Sequence, residues 1–238
     1  MSFYSDDREV RFLLKTMKAK HLESTIKKGQ FCFNHPSVFN KWESADSARF
    51  DKWDGHMSIE VKNLVIAPVL QDDENEYVTG EVMPLADEAI LHIQSGEAKH
   101  TPICCFRIVE DNEVSIDFDK RTLTYSLGTI ADRIMNEFGH DSYVMIEAAP
   151  FIERIRKNYS VLRGAVAYED TLKPGCFDID KKYQELAEQI FRKDKAYEWQ
   201  KEYRIALCEP TENSPVFVEL GSIEDITIAH GRIEDLRD

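Results

Sequence analysis

Lys193-Asp194-Lys195-Ala196-Tyr197-Glu198-Trp199-Gln200-Lys201-Glu202-Tyr203-Arg204-Ile205-Ala206-Leu207 contains the change of period that decides the fold. Up to about Ala196 it reads as the end of a polar, charge-dense helix that begins near Asp178 and turns Tyr183, Leu186 and Ile190 toward a core. From Tyr203 the residues alternate as a half-buried strand does, with Tyr203, Ile205 and Leu207 on one face and Glu202, Arg204 and Ala206 on the other. Gln200, Glu202 and Arg204 therefore project together where the chain enters that strand. An amide, a carboxylate and a guanidinium on one side of an element that must also pack are a candidate site. The bland reading is a same-face ion pair on an edge strand, worth ~0–1 kcal/mol.

Outward from this stretch, strands and helices are intermixed with short connections. Glu9 to Met17 reads as a strand, Lys18 to Lys28 as a helix stopped by Gly29, and Gln30 to Phe33 as a strand ended by the turn Asn34-His35-Pro36-Ser37. Residues 40 to 60 read as irregular, Val61 to Leu70 as a buried strand, Asp72 to Glu76 as an acidic loop and Leu85 to Gln94 as a short helix. Pro102 to Val109 and Val114 to Phe118 suggest a hairpin around Asp111-Asn112. Leu127 to Phe138 is amphipathic, with Ile130, Ile134 and Phe138 on one face. A strand at Ser142 to Glu147, a helix at Pro150 to Asn158 and strands at Val161 to Tyr168, Pro215 to Leu220 and Glu224 to Ala229 complete the reading. No repeat or linker divides residues 1–238. The expected fold is a single α+β domain with a curved, mixed sheet flanked by helices.

Composition narrows the function. The chain has 238 residues, with 44 acidic against 30 basic side chains and a formal net charge of -14. That balance opposes broad binding to a phosphate backbone, yet leaves room for a small basic pocket that takes one nucleotide. No charged and apolar leader opens the sequence, and no apolar run approaches the ~20 residues of a membrane span. Five cysteines without a Cys-x-x-Cys, two of them adjacent in Ile103-Cys104-Cys105-Phe106, point to reduced thiols, no disulfide and a cytoplasmic setting, in a bacterial or phage-infected cell. The seven histidines are scattered and the spacings are wrong for zinc, so no metal is expected.

Several phrases resemble a bacterial domain-of-unknown-function family, number twenty-nine seventy-one. Phe31-Cys32-Phe33-Asn34-His35-Pro36-Ser37-Val38-Phe39-Asn40-Lys41-Trp42-Glu43 is similar to that family's "L-x-F-S-x-P-x-x-F-N-D-P-x-E", with Lys41 and Trp42 in place of Asp-Pro. Cys105-Phe106-Arg107 resembles its "C-F-S", and His140 to Ile146 resembles a later strand without its glycine. Lys193, Tyr197, Gln200, Glu202 and Arg204 stand at the spacing of its closing "K-x-x-x-W-x-x-E-x-E-x-R", with Tyr for Trp and Gln for the first Glu. The family often sits among virus-defence genes, and the resemblance implies a role in bacterium–virus conflict.

The N-terminal strand–helix–strand, with Gln-x-Glu opening a late strand, is also similar to ADP-ribosyltransferases, although no Ser-Thr-Ser strand is present. That resemblance implies NAD as substrate and Glu202 as the catalytic acid, whose charge stabilises an oxocarbenium-like transition state. Gln200 would orient an acceptor, protein or nucleic acid. Lys15, His21, Arg204 and Asn40 would contact the nucleotide. The alternative is a non-catalytic module that binds a protein or nucleotide signal, and a third reading is a metal-dependent nuclease built on Asp51 and Asp54. His21 also reads as solvent-facing and Asn40 as a turn-former. Trp42 to His56 reads either as a lid over a planar ligand or as a loop packed down by its indoles.

Overall fold

A computed structural model describes residues 10–39, 56–66, 69–71, 76–78, 83–117, 122–169 and 189–237. In chain order the elements are β1 (Phe12–Met17), α1 (Ala19–Lys28), β2 (Gln30–Phe33), α2 (Pro36–Phe39), β3 (Met57–Ile66), β4 (Val69–Gln71), β5 (Glu76–Val78) and β6 (Met83–Ile93). Then come α3 (Gly96–His100), β7 (Ile103–Val109), β8 (Val114–Asp117), β9 (Thr122–Tyr125), α4 (Thr129–Arg133), β10 (Ser142–Glu147) and α5 (Ala148–Arg156). The chain ends with β11 (Val161–Ala165), β12 (Ala167–Glu169), β13 (Arg192–Asp194), β14 (Glu202–Leu207), β15 (Val216–Glu219) and β16 (Thr227–Arg232).

Six strands form the central sheet in the order β11-β14-β7-β1-β10-β16. Every neighbouring pair in it is antiparallel, so the expected mixed sheet is corrected. Among the described residues the parallel ladder is a short one, β12 against β13. Both faces of the sheet are covered. Leu13, Val144, Ile146, Phe106, Tyr203 and Ile205 pack on one side beneath α1 and α5, where the rings of Phe31, Phe106 and Phe151 lie 5.0–5.8 Å apart. Leu14, Val109 and Met145 pack on the other with Ile134, Ile233 and Leu236. Burial on two faces explains why β14 is buried at every position although its sequence alternates.

The N-terminal unit follows its sequence signals. Gly29 ends α1 in the left-handed region at φ 58°, and a Cβ there would stand 2.3 Å from the Gly221 carbonyl oxygen. Elsewhere pairing overrides local preference. Leu85 to Gln94 is rich in helix formers, yet Met83–Ile93 is a strand because nine registered pairs with β3 outweigh propensities of a few tenths of a kcal/mol per residue. No hairpin joins β7 to β8. Glu110 and Glu113 cap a short 3-10 turn instead, and β8 pairs with β9. Val161 to Tyr168 divides at Val166 into β11 and β12, and Glu224 to Ile226 is a 3-10 turn before β16. The expected long helix falls largely outside the described residues; its end is replaced by β13 and a 3-10 helix, Lys195–Gln200. Asn40, the tryptophan-rich segment through Gly55 and the acidic loop at 72–75 also lie outside them. No helix among the described residues is long and apolar enough to cross a membrane.

Candidate functional site

The site begins as a break in the central sheet. β1 pairs with β7 only through Phe12↔Val109, Leu13↔Ile108 and Leu14↔Arg107. Strand alternation then fixes which main-chain groups face the break. Ile108 N–H donates to Lys201 and Leu207 N–H to Pro102, so the even-numbered residues of β7 turn toward β14 and Cys105 turns toward β1. On β1, Ala148 N–H donates to Arg11 and Asp141 N–H to Met17, so odd-numbered residues face β10 and Thr16 faces β7. Thr16 and Cys105 would form the next rung, and the ladder stops before it. Further along, Asn34 exchanges both main-chain hydrogen bonds with Ile103 and closes the far end. In the gap the Lys15 ammonium donates to the Cys105 carbonyl at 2.7 Å. A cavity of about 480 Å³ occupies this opening, within the range of small-ligand sites.

One wall is the closing phrase noted in the sequence, folded into a single network. Lys193 Nζ lies 4.9 Å from the centre of the Tyr197 ring and donates to Gln200 Oε1 at 2.8 Å and to Glu202 Oε2 at 3.2 Å. Arg204 Nε donates to Glu202 Oε1 at 2.7 Å, and an Arg204 terminal nitrogen donates to the Ile190 carbonyl at 2.7 Å. The Glu202 N–H donates to the Tyr168 hydroxyl at 2.8 Å. Between Gln200 and Glu202, Lys201 adopts φ 44°, a left-handed conformation costly for a side-chain-bearing residue. It turns the chain from 3-10 helix into strand and is tied down by ion pairs to Glu110 and Glu113. The edge-strand reading of this ion pair is corrected. β14 lies inside the sheet, and Glu202, Lys193 and Arg204 are all buried.

Burial alone would raise the Glu202 pKa. The Arg204 guanidinium and the Lys193 ammonium outweigh it and hold the carboxyl well below the usual range. Glu202 is therefore ionised at every physiological pH and is no proton donor. An ionised carboxylate accepts at about four lone-pair positions. Arg204 and Lys193 fill two of them, one on each oxygen, so acceptor positions remain on a carboxylate that lines the cavity. Burial beside this charge also raises the Tyr168 phenol and pushes the Cys105 thiol well up, so both stay protonated.

Another part of the lining is apolar. Ile134–Phe138 is a π-helical continuation of α4, a distortion frequent at functional sites. It carries Ile134 and Phe138, and α4 carries Ile130, onto the cavity, so the amphipathic face read from sequence lines a pocket as well as the core. Trp199 stacks on Phe138 at 5.9 Å between centroids and 21° between planes, and Arg133 covers the indole at 3.9 Å. Thr16 Oγ1 and His140 Nδ1 share a hydrogen bond of 2.8 Å on the lining. Toward the mouth stand Lys18, Lys20 and His21 from the start of α1.

Of the residues singled out in the sequence, Glu202, Gln200, Lys15 and His21 line this one cavity. Arg204 does not. It exposes none of its surface and bonds Glu202 and the Ile190 carbonyl, so its assignment as a nucleotide contact is corrected: it holds Glu202 from behind. Lys193, Arg107, Trp199 and His140 also line the cavity and were missed. Lys193 and Arg107 stood in the quoted phrases, but their convergence depends on long-range pairing. Arg107 lies directly across the ladder from Glu202. It instead donates to the Trp199 carbonyl at 2.8 Å and pairs with Glu113. No family model, curated protein or solved structure matches the chain.

Proposed function

We propose that the cavity between β1 and β7 binds a nucleotide, and that the chain acts on NAD as an ADP-ribosyltransferase-like enzyme, hydrolysing it or transferring ADP-ribose to a macromolecule. One observation carries the nucleotide reading. Five cations, Lys15, Lys18, Lys20, Arg107 and Lys193, are among the described lining residues; Arg107 is paired with Glu113 and Lys193 with Glu202, so Lys15, Lys18 and Lys20 supply the excess positive charge in a chain whose formal net charge is -14. Cations concentrated in one concavity of an acidic protein favour a multiply charged anion. The aromatic and aliphatic wall suits the ligand's planar group.

The chemistry follows from the polar wall. An acceptor position left on Glu202 takes a hydroxyl donor, and a ribose hydroxyl meets that need. Main-chain donors and acceptors at Thr16 and Cys105 match a carboxamide such as that of nicotinamide. When the glycosidic bond breaks, its electron pair leaves with nicotinamide, which becomes neutral, and positive charge develops on the ribose carbon. A fixed negative group nearby stabilises that charge without reorganising. Water or an acceptor group then bonds to the carbon and releases its proton to solvent. Glu202 acts here by charge alone.

A second reading has its own support. Both oxygens of Glu202 are held by cations, which offsets much of the field it exerts on a developing positive centre. That favours a module that binds the nucleotide as a signal without turnover. Nicotinamide release measured beside NAD binding separates the two. Binding with release that falls ~10²–10³-fold in Glu202→Gln supports the enzyme. Binding without release supports the module, and no binding refutes both.

A further inference from the structure

The β2–β15 ribbon presents one aromatic residue on its wrong face. Its register is Val216↔Phe33, Phe217↔Cys32, Val218↔Phe31 and Glu219↔Gln30. Phe31, Phe33 and Val218 turn into the core and are almost fully buried. Gln30, Cys32, Phe217 and Glu219 share the outer face, where Gln30 Nε2 donates to Glu219 Oε1 at 2.9 Å. Every neighbour of Phe217 on that face is polar or a cysteine, yet Phe217 is 57% exposed. The other exposed large hydrophobic residues among those described are Met83 and Leu85, and neither touches the cavity. Phe217 lines it, as do Gln30 and Cys32 on its own face and Lys18, Lys20 and His21 at the start of α1.

We propose that Phe217 is the stacking platform for a nucleobase, so that the ligand carries a base at the cavity mouth and its phosphates run past the α1 cations. This rests on the reading of the cavity as a nucleotide site and adds the class of ligand: a base-bearing nucleotide rather than a phosphosugar or free pyrophosphate. A phenyl ring held on a rigid two-stranded ribbon loses little entropy when a base covers it. Base–aromatic stacking is also tolerant of which base is present. The apolar lining at Ile130, Ile134 and Phe138 suits a second planar group, which a dinucleotide carries and a mononucleotide lacks.

The test is calorimetric titration of ADP, ribose 5-phosphate and inorganic pyrophosphate into wild type, Phe217→Ala and Phe217→Trp. Thermal melts of all three proteins, expected to agree because Phe217 is exposed, check that the fold is intact. Phe217→Ala is expected to weaken ADP by about 5- to 150-fold, the range for loss of one stacked base. It should leave pyrophosphate and ribose 5-phosphate within twofold, and Phe217→Trp should keep or improve ADP. Equal loss for all three ligands, or no loss for ADP, overturns the platform while the nucleotide site stands. Failure of wild type to bind either ADP or pyrophosphate overturns the site itself.

Discussion

Replacing Glu202 by glutamine removes one charge and almost no volume, which makes it a sharp probe of the buried network. The side chain is buried between Arg204 Nε at 2.7 Å and Lys193 Nζ at 3.2 Å. Glutamine has one acceptor oxygen and one NH2 donor, so one of the two cations must face a donor. Two buried positive charges then remain beside each other without their carboxylate. Breaking a buried ion pair from one side costs about 3–5 kcal/mol, against ~0–1 for an exposed pair. In a chain of this size each kcal/mol lowers Tm by ~2–4 °C, so the expected drop is about 6–20 °C. Lys193→Met in the Glu202→Gln background removes one orphaned cation, and the double variant should melt above the single one. The coupling has a pH signature. The folded-state pKa of Glu202 lies below its ordinary value of 4.5, so its contribution is complete above that pH and is lost as pH falls toward the folded value. Wild type should lose stability in that acid range more steeply than Glu202→Gln. Differential scanning calorimetry across pH 7 to 3 measures both effects. A melt within about 3 °C of wild type at pH 7 would refute the buried-network reasoning.

Two further outcomes follow from the fold. Gly29→Ala combines a left-handed residue with a Cβ 2.3 Å from the Gly221 oxygen, and urea unfolding should show a loss of roughly 2–5 kcal/mol; an unchanged midpoint contradicts the close approach. Burial holds His35 below its ordinary 6.5, the His100 imidazole adds to this, and Glu212 opposes it. His35 therefore contributes fully above about pH 6.5 and loses stability as pH falls below it. Melts from pH 7.5 to 5.5 should slope downward in wild type and flatten in His35→Gln, and equal slopes would remove His35 from the account.

The sequence was most informative where one local cause acts alone. Gly29 stopped α1, and the alternation after Tyr203 sorted β14 into the faces that the sheet buries. It misled where neighbours decide. Met83–Ile93 has the composition of a helix and the pairing of a strand. Glu202 and Arg204 looked like a surface pair because one strand's sequence does not say whether it lies at an edge or inside. The spacing of Lys193, Tyr197, Gln200, Glu202 and Arg204 was visible, but its meaning was not. A 3-10 turn and a left-handed Lys201 are needed to fold those five positions into one network. The cavity was not legible at all, since it arises from a rung missing between Thr16 and Cys105.

The central claim is that an acidic chain keeps a cationic cavity for a nucleotide. Calorimetric titration of NAD at low and high salt tests it most directly. The account predicts saturable 1:1 binding that weakens as salt rises, because the lining cations interact with the phosphates partly through screened charge. It also predicts weaker binding in Lys20→Met, whose side chain lines the mouth and is exposed. No detectable heat up to millimolar NAD, or binding indifferent to both salt and Lys20, would contradict it.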